Sequence, residues 1–253
     1  MNLTPLFTQI FGAIWYLTPF AILAMILKTP WFKGVMGEFI VNLTAKLFLD
    51  KQKYHLIKNV TLPTEDGTTQ IDHIIVSKYG VFVVETKNMK GWIFGNAHQK
   101  TWTQKIYKHS SKFQNPLHQN YKHVKTLESL LELNDQQMHS VVVFVGDSTF
   151  KTDMPENVTY GGGYIRYIKS KTQRVLTDVQ VTEITKKITA GRLTPSFKTN
   201  REHVKHIKTI VAEKEKTDVQ TCPACQSPMM MRETKKGQNI GNKFWGCSKF
   251  SKM

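Results

Sequence analysis

Hydrophobic residues recur every four positions at Val35, Phe39, Leu43 and Leu47, so residues 35–50 read as a helix. Residues 54–62 form a first strand, and Thr64-Glu65-Asp66-Gly67 supplies a turn. Two nearly continuous apolar runs follow, residues 70–77 (QIDHIIVS) and 80–87 (GVFVVETK). Their β-branched content and lack of a polar face predict strands buried on both sides. Short strands are expected near residues 92–94 and 101–105. Asn115-Pro116 then opens a helix with a capping residue and a proline at its first position. The stripe of that helix is Leu117, Tyr121, Val124, Leu127 and Leu131. Residues 140–145 (SVVVFV) form another central strand, residues 158–159 and 164–168 shorter ones, and residues 179–190 a closing helix. Gly161-Gly162-Gly163 reads as a turn, because no phosphate-loop lysine and serine accompany it. Helix, three strands, helix, strand implies an α/β fold with a mixed sheet flanked by helices.

The N-terminus breaks this pattern. No charged residue occurs from Leu6 to Leu27, and about 33 Å of helix would cross a bilayer core. No lysine or arginine precedes the segment, whereas Lys28 and Lys33 follow it. The expectation is a single-pass anchor at residues 1–30 in the inner (cytoplasmic) membrane, with the soluble part in the cytoplasm.

Composition adds a partner class. The chain has 35 Lys and Arg against 19 Asp and Glu, an excess of 16 positive charges. That imbalance favours a polyanion, either nucleic acid or an anionic membrane face. All three cysteines lie near the C-terminus, so no disulfide framework staples the main body.

Candidate chemistry sits in the two buried runs. Joined as an antiparallel hairpin with Lys78-Tyr79 at the tip, they place Ser77 opposite Gly80 and Asp72 opposite Glu85. Directly opposed residues share a face, and alternation puts Lys87 on the face of Glu85. Two opposed carboxylates in an apolar hairpin repel one another, and a divalent cation between them removes that cost. Oxygen ligands suit Mg2+ or Mn2+. A buried Glu85–Lys87 ion pair is the structural alternative. His73 points to the opposite face and reads as a packing or supporting residue.

Gly37-Glu38, Gln70-Ile71-Asp72-His73-Ile74, Val84-Glu85-Thr86-Lys87-Asn88 and Asn115-Pro116-Leu117-His118-Gln119 occur in this order. Together they resemble the NERD (nuclease-related domain) family, which is similar to the restriction-endonuclease-like PD-(D/E)xK nucleases. The resemblance implies Glu38, Asp72 and Glu85 as metal ligands, Lys87 as the catalytic lysine and Gln119 as a helix-borne helper. Periodicity by itself leaves Glu38 and Gln119 on solvated helix faces.

Cys222-Pro223-Ala224-Cys225 has the spacing of a zinc knuckle, and Cys247 follows. With Gly237, Gly241 and Phe244-Trp245-Gly246-Cys247, it resembles the zinc finger of bacterial type IA topoisomerases. That resemblance implies a zinc-ribbon-like module binding single-stranded DNA, but Met253 stands where its fourth cysteine would be. Lys235, Lys236, Lys243, Phe244 and Trp245 suit a DNA strand through charge and stacking.

The expected organisation is an anchor at 1–30, a nuclease-like domain at 34–194, a basic linker at 195–219 and a zinc module at 220–253. The expected function is metal-dependent cleavage of DNA, double-stranded at the main domain. The alternatives are a non-catalytic DNA-binding or tethering module at the membrane and a scaffold contacting anionic lipid.

Overall fold

The computed structural model describes residues 17–64, 67–193, 222, 225–227, 229–234 and 243–249. The chain divides into two compact units, residues 1–194 and 195–253. The first half of the expected anchor and the expected linker lie outside the described residues. So do Lys235, Lys236 and Met253.

Helix α1 (Leu17–Lys28) meets α2 (Pro30–Phe48) at a bend of 69°. Among the described residues no single helix is long and apolar enough to cross a membrane, although this bent pair taken together has the length and composition for it. Thr29 starts α2 by accepting the Phe32 amide on its hydroxyl, and Pro30 supplies a preset first turn. The face that α2 buries is the small-residue one, Gly37, Val41 and Ala45. The stripe of Val35, Phe39, Leu43 and Leu47 points outward instead, with Phe39 57% exposed. The reason is steric. At Gly37 a Cβ would already stand 3.0 Å from Asn88 Cβ and 3.1 Å from a Val145 methyl, so the helix approaches the sheet through its smallest side chains.

The main sheet runs in the order β1-β2-β3-β7-β9: β1 (Tyr54–Thr64), β2 (Gly67–Ser77), β3 (Gly80–Asn88), β7 (Met138–Val145) and β9 (Val158–Tyr160). Strands β1 to β3 are antiparallel, while β3–β7 and β7–β9 are parallel, so the sheet is mixed. Helices α3 (Pro116–Leu131) and α5 (Asp178–Gly191) cover one face around Ile74, Val76, Val81 and Val83. Helices α2 and α4 (Gly163–Ser170) cover the other, around Ile75, Phe82, Val84, Val141 and Val143. Both faces are therefore apolar, as the continuous runs in β2 and β3 require.

A second sheet, β6-β5-β4-β8, is built from β4 (Gly91–Phe94), β5 (Thr101–Ile106), β6 (His109–Gln114) and β8 (Ser148–Phe150). Trp102 and Ile93 bury themselves beneath it against Phe144 and Val158. Strands β6 and β8 carry mostly polar residues, which is why periodicity passes over them. The segment 164–168, expected as a strand, is instead α4. Its buried Tyr164, Ile165 and Ile168 follow helical spacing, and the Tyr164 hydroxyl donates to the Val41 carbonyl of α2.

In the second unit, β10 (Met229–Glu233) and β11 (Lys243–Cys247) form an antiparallel pair with Met229 opposite Cys247. The loop before β10 folds back on itself. The Gln226 amide donates to the Cys222 carbonyl, the Cys222 amide to the Ser227 carbonyl, and Gln226 takes a left-handed φ of 55°.

Candidate active site

The β2–β3 hairpin has the expected two-residue tip and register, from Ser77↔Gly80 to His73↔Val84. Continued, that register pairs Ile71 with Thr86 and Asp72 with Glu85. It is not continued. The Thr86 amide donates instead to Asp72 Oδ2 at 2.9 Å, so a side-chain carboxylate occupies the place of a strand carbonyl. On the other side of β2 the ladder to β1 skips the same position, where Asn59 adopts a left-handed φ of 50°. The two strands part at Asp72. Asp72 and Glu85 are neighbours across a gap, not the bridged pair expected from register alone.

Glu85 is 2% exposed on the α3 side of the sheet. Its Oε1 accepts from Lys87 Nζ at 2.6 Å, and the same ammonium donates to Gln119 Oε1 at 2.9 Å. Gln119 reaches the cluster because α3 is rotated from the stripe its sequence suggests. Asn120, His123, Val124, Leu127 and Leu131 face inward, and Tyr121 is exposed. Asn120 fixes the rotation, because its amide donates to the Val83 and Val141 carbonyls of two adjacent strands. Asn115 fixes the start of the helix. Its side-chain oxygen caps Leu117, and its amide nitrogen donates to the carbonyls of Asn96, Ala97 and Gln99.

His123 belongs to the site and was not singled out in the sequence. It lies one helical turn beyond Gln119, with Nδ1 2.8 Å from Thr69 Oγ1 and Nε2 3.4 Å from Glu85 Oε2. That last contact is long and poorly aligned. Glu85 Oε2 and His123 Nε2 have no hydrogen-bond partner among the described residues. The i, i+4 spacing of Gln119 and His123 was the available signal. His73 turns the other way, as expected, and its Nε2 meets Thr86 Oγ1 at 3.0 Å.

Electrostatics separate the acids. Burial and the Glu85 charge hold Asp72 well above its ordinary range, against the opposing Thr86 amide, with Glu38 adding to the rise. Burial, then Glu85, also raises Glu38. Burial acts to raise Glu85 too, but His123 and Lys87 outweigh it and leave Glu85 below its ordinary range. Of these two partners Lys87, at 2.6 Å, is the stronger by geometry. The structure thus brings Asp72, Glu85, Lys87 and Gln119 together. Glu38 approaches from α2 closely enough to be felt electrostatically by both Asp72 and Glu85.

The donor set fits a hard divalent cation: three carboxylates, two of them costly to ionise without one, and a buried Glu85 oxygen lacking a hydrogen bond. The three acids do not form a preassembled chelate. Among the described residues, the group of three or more His, Cys, Asp or Glu with all ligand atoms within 4.8 Å of one another is Cys222, Cys225 and Cys247. In that second cluster Cys225 Sγ lies 3.4 Å from Cys247 Sγ. Hydrogen bonding from Ser227 lowers the Cys225 thiol to about 6; the Lys249 backbone acts to lower Cys247, but the contacts with Cys225 and Cys222 outweigh it and leave Cys247 raised. Tetrahedral zinc with bonds of about 2.3 Å separates its sulfurs by roughly 3.8 Å, so three of four zinc positions fit. Lys243 and Phe244 are placed on β11 by their backbone, and Trp245 is partly exposed there.

The mixed sheet thus carries two strand-borne carboxylates and a lysine beside a helix-borne glutamine. Residues 33–145, just under half the chain, match the NERD family, the nuclease-related domain. An uncharacterized protein of Bacillus anthracis is 52% identical over 105 residues, 41% of this chain and 49% of that relative. The match therefore spans about half of that relative's length. No solved structure matches this chain.

Proposed function

We propose that the first unit is a divalent-metal-dependent nuclease that hydrolyses the phosphodiester backbone of DNA. The carrying observation is the Lys87 ammonium, held between Glu85 Oε1 and Gln119 Oε1 beside two acids whose ionisation is disfavoured. A lysine ammonium has three donors. Glu85 and Gln119 take two, leaving one for a phosphate oxygen. Gln119 fixes the ammonium without adding a second carboxylate to it, so its third N–H stays available where negative charge develops. His123 and Lys87 keep Glu85 ionised, and Asp72 is held at the opening of the hairpin by the Thr86 amide. Mg2+ or Mn2+ held by Glu38, Asp72 and Glu85 would supply Lewis acidity and a water acidified towards neutral pH.

Two attachments complete the reading. The second unit holds zinc through Cys222, Cys225 and Cys247, with a fourth ligand from elsewhere, and binds single-stranded DNA. The N-terminal segment lies at the bacterial inner membrane with the nuclease on its cytoplasmic side. Supporting this, α2 presents Trp31, Phe39, Leu43 and Leu47 outward, following the apolar α1 whose Leu17, Phe20 and Leu23 are also exposed.

Two observations favour the rival, a non-catalytic DNA-binding or tethering module. Lys87 already neutralises Glu85, and the three acids are not gathered as a chelate. The full chain incubated with supercoiled plasmid and Mg2+ or Mn2+, beside Glu85→Gln, separates the two readings. Metal-dependent nicking that disappears in the variant is the expected result. Salt-sensitive binding by both proteins with cutting by neither establishes the tethering module.

A further inference from the structure

Between Glu85 and Glu128 the chain has eight lysines and no Asp or Glu. The second sheet lies inside this interval apart from β8. Strand pairing arranges its outward face in rows. One row is Ser110–Lys105–Trp92–Thr149 and the next is Lys112–Thr103–Phe94. Alternation sends Ile93, Trp102 and Phe150 inward to the core and leaves Trp92 facing out.

Trp92 is 48% exposed, a large aromatic at the centre of a lysine-bearing face. Lys105 Nζ lies 5.9 Å and Lys151 Nζ 4.8 Å from its ring centroid. Tyr107 stands at the β5–β6 turn, 93% exposed, with a left-handed φ of 52°. A cleft of about 490 Å³ between them is lined by Lys90, Trp92, Lys105, Tyr107, Asp147 and Thr149, among others. Asp147 is the one acid in that lining.

This face is tied to the candidate site at both ends. Only Met89 and Lys90 separate β3, with Lys87, from β4. At the other end β6 runs into Asn115, the cap of the helix bearing Gln119, and Asn115 also clamps the 96–99 loop of the same sheet.

We propose that the outward face of the β4–β5–β6–β8 sheet is a binding site for single-stranded nucleic acid. Unstacked bases lie on Trp92 and Tyr107, and Lys90, Lys105, Lys112 and Lys151 contact the phosphates. Charge selects a polyanion. The exposed rings select a single strand, because a duplex buries its base faces in its own stack whereas a single strand offers them. The proposal rests on the nuclease reading only in taking DNA as the natural strand, and it places the path of that strand beside Lys87.

The test measures anisotropy of a fluorescein-labelled short oligothymidine with the full chain bearing Phe244→Ala/Trp245→Ala, which removes the strand-binding rings proposed for the second unit, and with that background carrying Trp92→Ala, Trp92→Phe, or Lys105→Glu/Lys112→Glu. Trp92→Ala weakens binding roughly tenfold, and Trp92→Phe recovers most of it. The lysine pair lowers the slope of log affinity against log salt by about 1.4, two contacts at about 0.7 each. Iodouracil in the oligonucleotide crosslinks to Trp92 or Tyr107, read by peptide mass spectrometry. Unchanged binding in both the Trp92→Ala and lysine variants overturns the proposal. So do crosslinks confined to other regions, or a duplex competitor as effective as the single strand. Binding lost from anionic vesicles but kept on DNA in the lysine variant overturns it as well. Failure of the parent to cut plasmid, with these binding changes intact, removes the nuclease reading and leaves this surface standing.

Discussion

The molecule carries two candidate metal centres of opposite chemistry. Around Glu85 the ligands are oxygens, inside a sheet covered by helices, and each acid is engaged by or repelled by its neighbours. At Cys222, Cys225 and Cys247 the ligands are sulfurs on a small hairpin, already within 4.8 Å of one another. The acids Asp72 and Glu38 are pushed towards their neutral forms, whereas Cys225 is pulled towards its thiolate. The first site stores an unfavourable charge arrangement that a hard cation would relieve. The second gathers three soft ligands within reach of a single ion. Strain at a site marks a demand for charge, and convergence of ligands marks a demand for a particular ion.

The sharpest way to break this comparison is to remove each centre and follow DNA cutting. Lys87→Met is expected to lower Mg2+-supported nicking by roughly a hundredfold or more, the scale of removing a charge-stabilising donor. Cys225→Ser leaves nicking within about twofold. Equal losses from the two variants in a plasmid assay, with both proteins folded by circular dichroism, contradict the division of labour.

The oxygen site also depends on where α3 starts, because α3 carries Gln119 and His123. Asn115→Ala removes a helix cap worth about 1 kcal/mol. It also withdraws the donor to three loop carbonyls, for a total cost of about 2 kcal/mol. Urea unfolding of the full chain should show this as a lower midpoint of the main transition. Zinc content, measured by atomic emission, should not change.

These dependencies explain what could be read in advance. The register of β2 and β3 was legible because a two-residue tip and two apolar runs leave one pairing that buries both faces. Asp72, Glu85 and Lys87 followed from it as residues sharing one region. What did not follow was the opening of the ladder at Asp72, since a carboxylate replacing a strand carbonyl leaves no trace in hydrophobic pattern. The rotation of α3 was hidden for a related reason. It is set by the Asn120 amide bridging two strands, and a polar residue on a helix reads as exposed until its partners are known. Periodicity also misplaced the buried face of α2, because Gly37 and Ala45 pack by being small and score weakly as hydrophobic. The outward stripe of Phe39 and Leu43 then takes on meaning as a surface.

A smaller effect probes the stored charge directly. Asp72 and Glu38 have folded pKa values above their ordinary ones. Their contribution to stability is therefore fully present below about pH 4, where folded and unfolded forms are both protonated, and is lost as pH rises through the folded values. Asp72→Asn keeps an oxygen for the Thr86 amide and drops the charge. In metal-free buffer at neutral pH the variant should be more stable than the parent, by something in the range of about 0.5–2 kcal/mol. Added Mg2+ should narrow the gap by stabilising the parent alone. Thermal melts of both proteins with and without Mg2+ check this, and a parent more stable than the variant in metal-free buffer would falsify it.

The smallest expected change to the main fold comes from the sulfur site, and it sharpens the contrast from the other side. With its thiol lowered to about 6, Cys225 is mostly thiolate at neutral pH, while Cys247 is held in the protonated form by the same contact. Iodoacetamide should therefore modify Cys225 ahead of Cys247, as read by peptide mass spectrometry. Zinc should slow the modification, because a bound thiolate is no longer a free nucleophile. Lowering the pH through 6 should slow it as well, since protonation removes the attacking form. The melting temperature of the main unit should stay where it was throughout. A shift there would mean that the two units share stability, and Cys225→Ser would then have to be reread as a variant that perturbs the nuclease-like domain and not the sulfur cluster alone.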